Sequence, residues 1–315
     1  MVLAPEVVGA WCRRLTPELT RSAHKGSCGR LALIAGAYDG GSFATLSAAA
    51  SLRVGVDLVY VMTRTADRPF VHSLSVRPLL EPAAIETAVE TLHRCDCVSI
   101  ADNTLPPDPS DAVADPDTVN ALSRIVYEDA ALDLPIVVGG ESLKLHAVRI
   151  ALHTAVKRAP SEWPILTCAG DWAALPCDIP SVVVGVERAR SECVVRTMQT
   201  RHGHLALVDT LAADGRSAQR AVDLWRPGMN AVLHGALGTF GAWNRLLPPP
   251  ERLPSYAVAA VATSVVVEAA ARAHARAQWP LSVLPSHVID HLSPAVQTCC
   301  SRGDGAQDGF PPFRE

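Results

Sequence analysis

Hydrophobic positions along this chain fall into two kinds of run. Short aliphatic stretches alternate with longer Ala-rich ones, which predicts a sheet whose strands are joined and covered by helices. The segments "RLALIAG" (30–36), "DLVYVMT" (57–63), "CDCVSIA" (95–101), "LPIVVGG" (134–140), "WPILTCAG" (163–170) and "SVVVGV" (181–186) read as strands. They are apolar almost without interruption, the pattern of strands buried on both faces of a largely parallel sheet. Helices are expected over "SFATLSAAASLRVG" (42–55) and "SLKLHAVRIALHTAVKRA" (142–159). At the N-terminus, Leu3, Val7, Val8, Trp11 and Leu15 fall on one side of an amphipathic helix. His202-Gly203 is a turn signal between two strand-like runs in 193–210, so a hairpin is expected at a sheet edge. Beyond it only helices are predicted, over about 231–246, 256–276 and 285–292.

Composition narrows the picture. A chain of 315 residues, 49% of them hydrophobic, buries a sizeable α/β core. Neither a repeat nor a linker divides it, so one domain is expected over 1–300, with 101–117 a Pro/Asp-rich loop and 301–315 a flexible tail. A net charge of -4, with no Lys/Arg run longer than two residues, leaves no electrostatic footprint for nucleic acid. The expected partner is a small molecule. The apolar stretch Tyr256 to Val267 is too short to span a bilayer and predicts a buried helix, so no membrane partner is expected. Nine cysteines without Cys-x-x-Cys or zinc spacing read as reduced thiols, with no metal site. The N-terminus lacks the apolar core of a signal peptide, and a cytoplasmic location is expected, with a mitochondrial one left open.

Two segments carry candidate chemistry. The first is His24 to Thr63, where a basic pair precedes a strand and Gly36, Gly40 and Gly41 precede a helix. Such a loop lets backbone approach a ligand, and the amides of the helix that follows favour anions. The second, "RPGMNAVLHGALGTFGAW" (226–243), opens with Pro-Gly, continues as an Ala/Leu/Gly-rich helical pattern and contains no acidic residue. A phosphate at its start would meet backbone amides, not side chains.

These blocks resemble the ATP- or ADP-dependent NAD(P)H-hydrate dehydratases, especially the eukaryotic ATP-using type. His24-Lys25-Gly26, Gly29-Arg30, the strand after them and "SLRVGVDLVYVMTRTADRPFVHSLSVRPLLEP" (51–82) follow that family in order, spacing and residue type. In "PIVVGGESLKL" (135–145), Gly139 and Glu141 stand at two family aspartates. In "ILTCAGDWAAL" (165–175), Ala169 and Gly170 stand for the Asn and His, and Asp171 and Trp172 for the Glu and Phe, of a hydrate-contacting segment. "VVVGVER" (182–188) keeps Glu187 and Arg188 but has Gly185 at the nucleotide-contacting Lys. "PGMNAVLHGALG" (227–238) overlays the hallmark Gly-Gly-x-Gly-Asp-(Leu/Val)-Leu-(Ser/Ala)-Gly-x-Leu-Gly without a gap. Gly228, Leu233, Gly235, Leu237 and Gly238 match, Asn230 replaces a Gly, and Ala231 replaces the Asp.

The resemblance implies a three-layer α/β/α ribokinase-like fold with a mainly parallel sheet, and a reaction in which ATP with Mg²⁺ phosphorylates the hydroxyl of NAD(P)H hydrate before phosphate leaves. It implies nucleotide binding by Glu187, Arg188, Gly228, Met229, Asn230, Ala231 and Gly235, and substrate binding by His24, Lys25, Gly41, Asp171 and Trp172. No catalytic residue follows, because Ala231 cannot take the proton that the family Asp takes, a loss worth ~10² to 10⁴-fold in rate. Asn accepts left-handed backbone better than other non-Gly residues, so the amide cradle is expected to persist at Asn230. Asp209, Asp223 and His234 are the candidate substitute bases, and for His234 a packed or surface role is favoured. The expectation is a dehydratase of reduced or absent activity; the alternative is a nucleotide-binding or assembly module, with a homo-oligomer or protein partner compatible with either.

Overall fold

A computed structural model places residues 5–18, 21–34, 42–63, 75–78, 82–101, 124, 134–139, 142, 165–168, 182–189, 192–199, 205–208, 228–278 and 282–302. At 75–78, 82–85, 166, 168 and all described positions from 182 to 208 it fixes the backbone alone. The described strands are β1 (Arg30–Ile34), β2 (Leu58–Thr63), β3 (Ser75–Pro78), β4 (Cys97–Ile100), β5 (Ile136–Gly139), β6 (Ile165–Cys168), β7 (Val182–Ala189), β8 (Glu192–Gln199) and β9 (Leu205–Val208). They form one sheet in the order β3-β2-β1-β4-β5-β6-β7-β8-β9. From β3 to β7 all neighbours are parallel, and β8 and β9 complete the edge antiparallel. β1, β4 and β5 are buried along nearly their whole length, which is why their sequences do not alternate.

The described helices are α1 (Pro5–Leu15), α2 (Ser42–Val54), α3 (Pro82–Leu92), α4 (Met229–Leu246), α5 (Ser255–Arg276), α6 (Pro285–Asp290) and α7 (Leu292–Arg302). α2, α4 and α5 form one layer against the sheet, and α1, α6 and α7 pack on that layer. The amphipathic reading of α1 holds, with Val8, Trp11 and Leu15 buried together with Cys12. α2 stops where Gly55, at φ 132, lets the amides of Gly55 and Val56 both return to the Ser51 carbonyl. Asn244 joins α4 to α5 by giving its Nδ2 to the Leu253 carbonyl at 2.8 Å and taking the Leu253 amide on Oδ1 at 2.7 Å. α5 is long and apolar enough to cross a membrane by length and composition, and 72% of its most apolar window is buried inside the fold.

Several elements differ from expectation. β3 and α3 lie outside the expected elements, and β7 runs on to Ala189, where it pairs with Glu192 of β8. The expected helix over 285–292 is two helices, the second continuing through Arg302 and so past the expected domain end at 300. The helix predicted over 142–159 lies outside the described residues beyond Ser142, as do the 101–117 loop beyond Ala101 and the tail from 303 onward.

Candidate functional site

Strand order reverses between β1 and β4: from β1 the chain proceeds outward to β2 and β3, then returns to add β4 on the other side. The crevice outside the C-terminal ends of strands at such a switch point is where open α/β sheets bind ligands. α4 crosses this point. Near its C-terminus, a Cβ on Gly241 would meet Cys97 at the start of β4; midway, one on Gly238 would meet Leu31 of β1. Nearer its N-terminus, His234 reaches Thr167 on β6 and Phe43 at the start of α2. α4 therefore runs antiparallel to the strands, and its N-terminus lies at their C-terminal edge.

Gly228 is the N-cap of this helix at φ 90, ψ -12, and makes no side-chain cap bond. Here glycine is required twice over: L side chains rarely adopt this backbone, and a Cβ would lie 2.9 Å from Pro285 Cγ and 3.1 Å from Leu46 Cδ1. The Ala231 and Val232 amides return to the Gly228 carbonyl at 3.1 and 3.4 Å. The first turn of α4 carries the positive end of the helix dipole. Left-handed backbone is thus needed at Gly228 and not at Asn230, which is already helical. The amide cradle does not depend on the conformational tolerance of Asn.

Ala231, at the family Asp position, is 0% exposed in the first turn of α4. Its carbonyl accepts from Ser47 Oγ at 2.8 Å, and one turn later Ser51 Oγ donates to the Gly235 carbonyl at 3.1 Å. α2 and α4 thereby approach closely through small residues, and a Cβ on Gly235 would collide with the Ser47 carbonyl oxygen. Residue type suggested none of these serine contacts. The available signal was spacing, since Ser47 and Ser51 repeat at i, i+4 opposite Gly235 and Thr239 at the same interval.

His234, one turn beyond Ala231, is fully buried. Its Nδ1 shares a 3.3 Å hydrogen bond with Thr167 Oγ1, while Nε2 completes none. Burial pushes its pKa down to about 3, with the Ile100 backbone carbonyl offsetting part of the shift. It is a neutral, enclosed imidazole packed edge-on to Phe43 at 5.5 Å, a poor general base near neutrality.

Gly228, Met229, Asn230, Ala231 and Gly235 are brought together by one helix terminus. Glu187 and Arg188 lie on β7 beyond Gly185, the last residue paired with β6, so their backbone is at the same C-terminal edge. His24 and Lys25 are not brought there. They precede β1, in a loop whose Gly26 and Cys28 amides donate to Asp57 Oδ2 at 2.8 and 2.9 Å. Trp243 near the far end of α4 donates from Nε1 to the Cys28 carbonyl at 2.9 Å. Gly228 and Trp243 are fifteen helical residues apart, roughly 22 Å at ~1.5 Å per residue. Gly41, Asp171 and Trp172 lie outside the described residues. Among the described residues no group of three His, Cys, Asp or Glu side chains could hold a metal ion.

No protein-family model matches the chain. The ATP-dependent (S)-NAD(P)H-hydrate dehydratase of Sorghum bicolor is 22% identical over 317 residues, covering 91% of this chain and 76% of that protein. The chain spans only about two fifths of the length of the same-named relatives from Vitis vinifera and Rattus norvegicus. Among solved structures, the ADP/ATP-dependent NAD(P)H-hydrate dehydratase of Bacillus subtilis, co-crystallised with ATP/Mg²⁺, has a TM-score of 0.55 at 16% identity, covering 94% of this chain and 97% of that one. A ribokinase-like superfamily protein of Enterococcus faecalis has a TM-score of 0.57 at 13% identity, covering 95% of both chains. The chain is thus similar in sequence, at low identity, to the ATP-dependent NAD(P)H-hydrate dehydratases, and its fold is the mainly parallel ribokinase-like α/β fold.

Proposed function

We propose that this protein binds a nucleoside phosphate, ATP or ADP, at the start of α4, and that it dehydrates NAD(P)H hydrate far more slowly than an intact family member. The observation that carries this reading is Ala231, buried at the position of the family's proton-accepting Asp, beneath a first helical turn that keeps its glycine and its amides. Those amides fit a phosphate, because backbone donors at a helix N-terminus favour anions. Bound there, ATP would supply the transferable phosphoryl group and Mg²⁺ would screen the phosphate charge. The first turn of α4 contributes no acidic side chain to hold that ion, so the nucleotide itself would bring it.

Phosphoryl transfer to a hydroxyl needs the attacking oxygen to shed its proton. Neither Ala231 nor the enclosed His234 serves that step, whereas positioning and anion stabilisation by the α4 amides remain. Gly185 in place of a Lys removes one full charge interaction with phosphate. Thermal-shift and calorimetric titration with ATP, ADP and NADPH, with and without Mg²⁺, tests the binding half. A rise in melting temperature that saturates only at high ligand concentration is expected for ATP or ADP. No rise with ATP, ADP or sulfate at millimolar concentration would reduce the protein to a structural member of the fold.

A further inference from the structure

The first and last described helices meet through sulfur. α1 packs against α7, and Cys12 Sγ lies 3.4 Å from Cys300 Sγ across 288 positions of sequence. Thr16 Oγ1 donates to the Cys12 carbonyl at 2.8 Å and is 3.5 Å from Cys300 Sγ, so it fixes the turn of α1 that faces the second thiol. Both cysteines are reduced; Cys12 is fully buried and Cys300 half-buried. A disulfide has a sulfur-sulfur length of ~2.05 Å, so the pair closes with an approach of about 1.4 Å, within reach of side-chain rotation and a small helix shift.

We propose that Cys12 and Cys300 form an oxidative modification site, a reversible disulfide tying α1 to α7, made by exchange with a small disulfide of the glutathione class. The half-buried Cys300 thiolate attacks one sulfur of the oxidant. The oxidant's S–S bond breaks, one thiolate leaves and takes up a proton, and Cys300 carries the mixed disulfide. The Cys12 sulfur, losing its proton, then attacks the Cys300 sulfur, and the second small thiolate leaves and takes up a proton. Two protein thiols are thereby oxidised by two electrons, and one small disulfide is reduced to two small thiols.

The order follows from access. Cys12 cannot meet the oxidant directly, and its thiol pKa is raised, first by its hydrogen bond with Cys300 and then by burial. Converting Cys300 to a mixed disulfide removes the first of these causes and leaves burial, so the Cys12 thiol loses part of what holds its proton when its partner is ready to be attacked. The bond would enclose almost the whole chain, the case in which a crosslink restricts the unfolded ensemble most.

The test uses the full chain incubated with oxidised glutathione, then digested and mapped by mass spectrometry, with melting curves taken in parallel. The expected result is a Cys12–Cys300 crosslinked peptide and a melting temperature raised by roughly 4–8 °C, reversed by dithiothreitol. Cys300→Ser should abolish the crosslink and the rise while its reduced form melts close to the reduced parent; Cys12→Ser should leave a stable glutathione adduct on Cys300. A crosslink between Cys12 and Cys299, a glutathione adduct on Cys300 that persists in the parent chain, or an equal oxidant-dependent rise in Cys300→Ser would overturn the proposal. None of these readings depends on nucleotide binding.

Discussion

Replacing Gly235 with Ala tests whether the α2/α4 contact holds α4, the helix proposed to face phosphate, in place. An added Cβ would overlap the Ser47 carbonyl oxygen and sit 3.0 Å from Ala50 Cβ, so the helices must part by an appreciable fraction of an ångström to about 1 Å. That movement lengthens the Ser51 Oγ to Gly235 carbonyl bond, now 3.1 Å, and the Ser47 Oγ to Ala231 carbonyl bond, now 2.8 Å, each worth about 1 kcal/mol. Overpacking adds about 1–3 kcal/mol, and the better helix propensity of Ala offsets ~0.5–1 kcal/mol. The net loss is about 2–4 kcal/mol. With unfolding entropy of ~2.1 cal/mol/K per residue over 315 residues, the melting temperature should fall by roughly 3–6 °C. Differential scanning calorimetry reads this directly. An unchanged or higher melting temperature would mean that helix propensity outweighs the contact, and the close-approach argument would fail.

Four further outcomes follow. Burial holds the His234 pKa near 3, below its ordinary 6.5, so between those values the unfolded chain binds a proton that the folded one does not. Stability should therefore fall as pH drops below about 6.5, by up to ~1.4 kcal/mol per unit, and urea titrations of His234→Gln should show a shallower slope than the parent; equal slopes would contradict it. Asp57→Ala removes the acceptor of the Gly26 and Cys28 amides and should cost about 2–3 kcal/mol in chemical denaturation. His24→Ala with Lys25→Ala, at the far end of α4, should leave ATP-induced thermal shifts unchanged. Gly185→Lys, at the C-terminal edge on β7, should tighten ATP binding by about 1–3 kcal/mol in calorimetry, and an unchanged affinity would place the phosphates elsewhere.

The parts of the fold that were legible share a physical cause. β1, β4 and β5 are buried nearly throughout, and α4 and α5 are long and mostly buried, so their sequences carry a signal that tertiary context does not override. β3 has four residues including an Arg and a Pro, and α7 begins Leu-Ser-Pro and contains Gln, Thr and two cysteines. Segments so short or so mixed are fixed by what they pack against. The β7–β8 hairpin was missed because the two residues between Ala189 and Glu192 are Arg and Ser, without the Gly or Asn that marks tight turns. At the site, the motif overlay located the helix terminus through Gly228 and Gly235. It could not reveal that His24 and Lys25 sit at the opposite end of α4, since motif order carries no distance.

The proposed phosphate site at the start of α4 has Ala231 where the family's proton acceptor would stand. The most direct test is steady-state turnover of (S)-NADPH hydrate with ATP and Mg²⁺, followed as NADPH formation and run beside an intact family enzyme. With Ala231 at the acceptor position, turnover at saturating ATP should lie at least ~10²-fold below the intact enzyme. Turnover within a few-fold of the intact enzyme would contradict the account and require a proton acceptor other than the residue at position 231.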